Sequence, residues 1–316
     1  MFDICIIGNI CTDIFVKPLH ELPKKGQLVL MDSITVESGG CGLNPAIYLA
    51  KMGVQVAILG KIGDDAFGDS IVKTFQHSNI DISGLKRDNS TPTSATVVAI
   101  DESGERTLMH YLGTTGSLNS RDIEMDMFDS SKLLFIGGAF LMPAFVGTDL
   151  AKVLTSAKQK GLVCALDTAW DAQGKWMETL EPCLPYLDWF LPSYEEAVQL
   201  SQTTDITRAA RLFQEKGAKN VVIKLGAKGC CVFFGSDDGV YVEPLKDIEV
   251  KDSSGAGDAF CAGFLNGLIR GWEPLKCARF GNTLGALCVT EVGAITAART
   301  YEEVLEFRAK HGGLGL

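Results

Sequence analysis

Asp258 is the residue around which chemistry can be built. It follows Gly255, Ala256 and Gly257, which carry little or no side chain, and it opens the stretch DAFCAGFLNGLIRG. Small residues let successive backbone N–H groups converge on one point, and Gly takes up the positive φ that such an anion nest needs. Downstream, Phe260, Phe264, Leu265 and Leu268 fall on one helical stripe that Gly271 ends. The spacing therefore predicts a helix whose unpaired N–H groups and positive dipole end face the nest, where a phosphate fits. A carboxylate in the first turn would repel a phosphate that is merely bound. It can instead accept the proton of a hydroxyl that attacks phosphorus, the general-base role in phosphoryl transfer. The helix end is expected to lower the pKa of Asp258 and keep it ionised. So weak a base suffices, because a loose transition state needs the proton removed only late. The plainer reading is an acid that caps a helix.

Other polar residues stand where strands end. Phe2 to Gly8 is a short apolar run closed by Gly, which suits a buried parallel strand, and Asp13 lies just beyond it. Ligands collect at such ends, and the alternative is a turn Asp. In GGCGLNPAIYLAKMG, Gly39 to Gly53, Asn44 reads as an N-cap, Pro45 as the first helical residue and Gly53 as the stop. Gly39 and Gly40 exceed what a cap needs, and close approach of a ligand to bare backbone would explain them. LDTAWDAQGKW also follows a strand end, so Asp167, Trp170 and Asp171 are candidates to line a substrate site, with Trp170 equally able to be core. Ser193-Tyr-Glu-Glu196 is a capping box.

These residues need a scaffold, and the pattern supplies an α/β one. Strands at Lys132 to Gly137, Val163 to Asp167, Trp189 to Pro192 and Asn220 to Lys224 alternate with helices at Pro143 to Lys160, around Trp176 to Leu180 and from Ser193. That alternation means a doubly wound, mostly parallel sheet. Earlier, Gln55 to Gly60 is a strand leading into a helix with the stripe Phe67, Ile71, Val72 and Phe75; later, CCVFF is a strand turned by Gly235 to Gly239. Leu275 to Glu291 is a helix that Gly293 ends. Thr93 to Ile100 and Arg106 to Leu112 read as a β-hairpin about a turn at Asp101 to Gly104, and Gln27 to Val36 has the composition to join it in a small sheet.

The stretch DSSGAGDAFCAGFL resembles the C-terminal signature of the ribokinase family, the PfkB carbohydrate kinases, and GGCGLNPAIYLAKMG resembles the N-terminal one. The likeness runs from Phe2 to about Gly293. It implies a three-layer αβα fold, a single kinase domain over residues 1–316, and a β-sheet lid built from about 12–36 and 93–112. It implies Asp258 as general base and Gly255, Ala256 and Gly257 as the anion hole. Asp13, Gly39, Gly40 and Asn44 would bind sugar hydroxyls. Lys224, Gly226 and Gly229 would meet ATP, with adenine near Asn282. Glu196 would order water around Mg²⁺, and Asp252, Ser254 and Gly293 would hold K⁺ or Na⁺. The lid would also pair two subunits into a homodimer. The chain departs from relatives at Cys41, where some carry Lys, and at Ser193, where most carry Asn. It departs again at Ala297, where some carry Ser, and it lacks an Arg-containing stretch after Asp167. The first and last of these departures disfavour phosphorylated and acidic sugars.

Composition bounds the partners. The chain has 316 residues, 46% apolar and 22% charged, enough to bury a large core. A formal charge of −10 argues against nucleic acid or an anionic membrane and for a small molecule. Ten Cys without a CxxC pair and four scattered His suggest neither a disulfide framework nor a zinc site. No basic leader or long apolar run is seen, so a cytoplasmic protein is expected. Two alternatives stay open: a nucleoside kinase, with Phe140, Met142 and Trp170 as candidates for a base slot, and a non-catalytic ligand sensor. A P-loop kinase is excluded by the absence of GxxxxGK[ST]; a nicotinamide dehydrogenase, a third possibility, is disfavoured by the absence of GxGxxG after the first strand.

Overall fold

The computed structural model describes residues 1–19, 23–101, 106–235 and 238–313. The expected hairpin turn at 101–104 and the turn at 235–239 lie partly outside them. In chain order the strands are β1 (Phe2–Gly8), β2 (Cys11–Lys17), β3 (Ser33–Gly39), β4 (Val56–Gly63), β5 (Asp81–Asp88), β6 (Ser94–Ile100) and β7 (Arg106–Tyr111). β8 (Ser131–Gly137), β9 (Val163–Leu166), β10 (Trp189–Phe190), β11 (Val221–Lys224), β12 (Cys230–Phe233) and β13 (Val240–Val242) follow.

They form two sheets. The larger has the order β13-β12-β11-β10-β9-β8-β1-β4-β5, parallel from β5 to β11, with β12 and β13 antiparallel at one edge. The apolar strands predicted from the sequence sit at its centre because both faces are covered. Along β1, Ile4 and Ile6 enter one core while Cys5 and Ile7 enter the other. The first core is closed by helices Leu43–Lys51, Ala66–His77, Ala256–Ile269 and Pro274–Cys288. The second is closed by Thr148–Gln159, Tyr194–Ser201 and Ile206–Glu215. Helix, sheet and helix make three layers.

The smaller sheet has the order β3-β2-β6-β7. β2 leaves β1 after two residues, so this sheet stands beside the C-terminal end of the central strands, where ligands collect in α/β folds.

Three expectations are corrected, and one strand lies outside them. The strand expected at Gln27 to Val36 is instead Ser33–Gly39, because β2 pairs from Cys11 with Gly39 to Lys17 with Ser33, and Pro18 then has no N–H to continue the ladder. The helix expected from Pro143 begins at Thr148, after Gly147 at φ +93°. Asn44 is not a cap: the helix starts at Leu43 behind Gly42, and the Asn44 amide is used elsewhere. β5, an edge strand of sequence DISGLKRD, was not foreseen, since charged residues at a sheet edge break the apolar pattern by which strands are read.

Candidate active site

The Gly-rich turn and helix Ala256–Ile269 form as the small residues require. Gly255 is the N-cap at φ +73°, ψ 2°, and a Cβ there would lie 2.6 Å from the Ala294 Cβ. The Asp252 carboxylate fixes the turn from behind: Oδ1 accepts from the Ser254 N–H at 2.9 Å and hydroxyl at 2.8 Å, and Oδ2 accepts from the Gly293 N–H at 2.9 Å. Asp252 and Ser254 on the turn and Gly293 on the loop after helix Pro274–Cys288 thus meet. Asp258 is the third helical residue, and its Oδ2 accepts from Asn44 Nδ2 at 2.8 Å, with the Cys41 thiol against the same carboxyl. Its pKa is raised, not lowered. Burial raises it, and the hydrogen bond from Asn44 and the charge of Lys224 only partly oppose that. The expectation from the helix end alone left out desolvation.

Two cavities flank this turn. One, of about 500 Å³, is lined by Asp13, Gly40, Asn44, Ser254 and Gly255 together with Asn9, Thr96 and His110. The other, of about 440 Å³, is lined by Lys224, Gly226, Gly229, Ser253, Ala256, Gly257 and Asn282 among apolar residues that include Phe260 and Val289. Neighbouring residues of one turn therefore face different cavities: Ser254 and Gly255 the first, Ala256 and Gly257 the second.

The small sheet builds its wall of the first cavity from alternate residues, which share a face in strands. Asp13, Thr96 and His110 stand opposite one another across β2, β6 and β7, with Glu37 beside Asp13 on β3 but outside the cavity lining; one step along the strands, Phe15, Val98 and Leu108 do the same. Asp13 therefore lies within a strand and is not a turn residue. Burial raises its pKa, with hydrogen bonds from Thr96 and Cys11 opposing. Gly39 leaves room for this carboxylate, since a Cβ there would collide with Asp13 Oδ2. Asn9, the polar residue directly after β1, joins this site without having been foreseen. Its Oδ1 and that of Asn44 are buried with no hydrogen-bond partner among the described residues.

In the second cavity, Lys224 is not a solvated lysine. Its Nζ donates to Asp167 Oδ1 at 2.7 Å, both side chains are nearly buried, and Nζ lies 3.6 Å from where a Cβ on Gly257 would be. Burial opposes its charge, but the Asp167 carboxylate outweighs that and holds the ammonium above its usual range. Asn282 donates to the carbonyls of Val242 at 3.1 Å and Glu243 at 3.0 Å, so its amide nitrogen shapes the cavity wall. The capping box forms as read: Ser193 N–H donates to Glu196 Oε2 at 2.7 Å and Glu196 N–H to Ser193 Oγ at 3.3 Å, while Thr168 Oγ1 donates to the same Oε2 at 2.9 Å.

Three candidates for a base slot are not at the first cavity. Met142 is fully buried and Phe140 nearly so; Phe140 packs edge-on against Trp176 at 5.5 Å. Trp170 is 54% exposed, also against Trp176 at 4.9 Å, and so is not core. Asp171 is spent in a turn, accepting from the Gln173 and Trp176 N–H groups.

Comparison with known proteins agrees with this geometry. Residues 1–300 match the model of the pfkB family carbohydrate kinases. The chain is 26% identical to a 5-dehydro-2-deoxygluconokinase of Clostridium perfringens, over 98% of this chain and 93% of that protein. Among solved structures, a ribokinase from Thermotoga maritima superposes with a TM-score of 0.83 at 26% identity, covering 98% of this chain and 100% of that one. Arabidopsis thaliana ribokinase complexed with ribose and ATP gives 0.85 at 22% identity, covering 97% and 98%.

Proposed function

The chain belongs to the pfkB family of carbohydrate kinases, and we propose that it transfers the γ-phosphoryl group of ATP to a hydroxyl of a sugar or sugar-like acceptor. The observation that carries this is the Gly255–Gly257 turn between two cavities with Asp258 at its helical edge. Phosphoryl transfer needs two ligands to meet end to end at an anion hole, and a turn shared by two cavities offers that arrangement.

The acceptor occupies the first cavity. Asp13, Asn44 and the backbone at Gly39 and Gly40 hold its hydroxyls, and Asp258 takes the proton of the attacking one. ATP occupies the second, with its base against the apolar wall near Asn282 and its phosphates reaching the turn past Gly226, Gly229 and Lys224. The N–H groups of residues 255–257 stabilise the charge on the transferred group. Mg²⁺ would enter with the nucleotide, and Glu196 would order its water. Its chemistry there would be to offset the phosphate charge that develops in transfer. K⁺ or Na⁺ would act behind the turn at Asp252, Ser254 and Gly293, and a rate that rises with KCl or NaCl over choline chloride reads this out.

We further propose one kinase unit whose small sheet is a lid over the acceptor. Its outward face exposes Ile34, Val36, Met109 and Tyr111, an apolar surface that a second copy would cover in a homodimer. Sedimentation of Val36→Glu, expected to be monomeric, tests this. Ten free cysteines suit a reducing cytoplasm, and the net charge of −10 suits neither nucleic acid nor an anionic membrane.

ADP release from Mg·ATP across pentoses, hexoses, sugar acids, phosphosugars and nucleosides tests the main reading. One acceptor should turn over, and Asp258→Asn should lose roughly 10²–10⁴-fold in kcat with acceptor binding retained. Binding without turnover of any acceptor would support a sensor instead.

A further inference from the structure

The charged groups in and around the first cavity are carboxylates. Asp13 lines it, Glu37 stands opposite Asp13 on the next strand, and Asp258 is hydrogen-bonded to Asn44 in its lining. Asn9 Oδ1 and Asn44 Oδ1 are buried there with no partner among the described residues. The orientation of Asn44 is fixed, because its Nδ2 is already committed to Asp258. A buried carbonyl oxygen without a donor is costly, and a ligand or an ordered water that brings O–H or N–H groups relieves that cost.

Charge points the same way. Among the described residues lining the cavity there is no Lys or Arg. Glu37 feels the charges of Asp13 and Asp252, and Asp258 that of Asp13, so the carboxylates already oppose one another. Lys17 acts on Glu37 from the exposed end of β2, beyond the apolar row, and Lys224 is held by Asp167 in the other cavity. The remaining positive feature is the helix N-terminus, where the transferred phosphoryl group must sit. Phe15, Val98 and Leu108 add a wall suited to C–H groups.

Resting on the kinase reading, we infer that the acceptor is an uncharged polyhydroxy compound and that this cavity rejects sugar acids and sugar phosphates. A carboxylate or phosphate would add acceptors where donors are needed and a negative charge among three others. Glu37 is the specificity-determining residue that acts without lining the cavity.

The test is calorimetric binding to the full chain with ADP present, at pH 8, where His110 is uncharged. The probes are D-ribose with ribonate and ribose 5-phosphate, and D-fructose with fructose 6-phosphate and 5-dehydro-2-deoxygluconate. A neutral sugar is expected to bind at least about tenfold more tightly than its charged counterparts. In Glu37→Gln that ratio should shrink while the neutral Kd stays within about twofold. A charged probe that binds as tightly as its neutral partner, no binding by any probe, or an unchanged ratio in Glu37→Gln would overturn the inference. Neutral-selective binding without ADP release on adding ATP would leave it standing and sink the kinase reading instead.

Discussion

Asn44 Nδ2 donates to Asp258 Oδ2 at 2.8 Å, joining residues 214 apart in sequence. One family-like motif thereby orients the carboxylate of the other, and the bond also lowers the pKa that burial raises. Asn44→Ala should therefore do two things. Turnover should fall by about 10-fold or more as the base loses its orientation, and the acid limb of kcat/KM should move to higher pH, because a hydrogen bond favouring the ionised form is gone. The wild-type limb should already lie above the ordinary Asp range near pH ~3.9. A pH profile of both proteins checks this, and a limb that stays in place would remove Asn44 from the base's environment.

The Asp167–Lys224 pair gives a prediction that separates stability from activity. Both side chains are nearly buried and 2.7 Å apart. Removing one partner of such a pair strands the other charge, so Asp167→Ala should destabilise by about 3–5 kcal/mol, whereas Asp167→Leu with Lys224→Met should be near neutral. Only the single variant retains an ammonium beside the Gly257 turn. The double variant is expected to melt near wild type yet show a KM for Mg·ATP raised about tenfold or more. Denaturant unfolding and nucleotide kinetics on the three proteins decide it; a double variant with normal KM would limit Lys224 to a structural role.

The chain showed most clearly what depends on local pattern. The nest with its helix, the Ser193–Glu196 box and the alternation of strands and helices all rest on spacings of a few residues, and all form. Less legible were features that depend on distant partners. Asn44 satisfies every local criterion of a cap, yet Asp258 claims its amide. Lys224 looks like any surface lysine until Asp167, just past the end of a separate strand, is brought to it. Asn9 carried a faint signal, a polar residue directly after a buried strand, but its role appears only when β2 and Gly40 enclose it. Asp258 was assigned the wrong direction of pKa shift because a sequence shows a helix terminus but not how much water surrounds it.

Asp13 should trade stability for binding in a pH-dependent way. Its folded-state pKa is raised by burial, so the folded protein holds this proton more tightly than the unfolded chain does. The stabilisation from protonated Asp13 is complete below the unfolded pKa near ~3.9 and is lost as pH rises through the higher folded value. Above that, the ionised carboxylate is a net cost. Asp13→Asn is therefore expected to raise Tm at pH 8, with the gain shrinking as pH falls towards 4, while acceptor affinity drops about tenfold or more. Thermal melts at several pH values show it; a lower Tm at pH 8 would mean that Asp13 is held by interactions stronger than its desolvation.

Gly255 is where backbone conformation and site geometry coincide. At φ +73° an L residue is strained, and an added Cβ would sit 2.6 Å from the Ala294 Cβ in the loop that Asp252 ties down through Gly293. Strain of this kind costs about 1–3 kcal/mol. Gly255→Ala must relieve it by moving either the turn or the Ala294 loop, and both carry N–H groups of the proposed anion hole or its support. Displacements of about 1 Å at such a site cost on the order of 100-fold in rate. Gly255→Ala should thus lose stability and about 100-fold in kcat. Pairing it with Ala294→Gly removes the Cβ contact but leaves the residue 294 Cα at 2.9 Å, its carbonyl oxygen at 3.0 Å and the φ penalty, so only part of the stability and of the rate should return. Stability regained without rate would show that the turn's conformation, and not its contact with Ala294, positions the phosphoryl group.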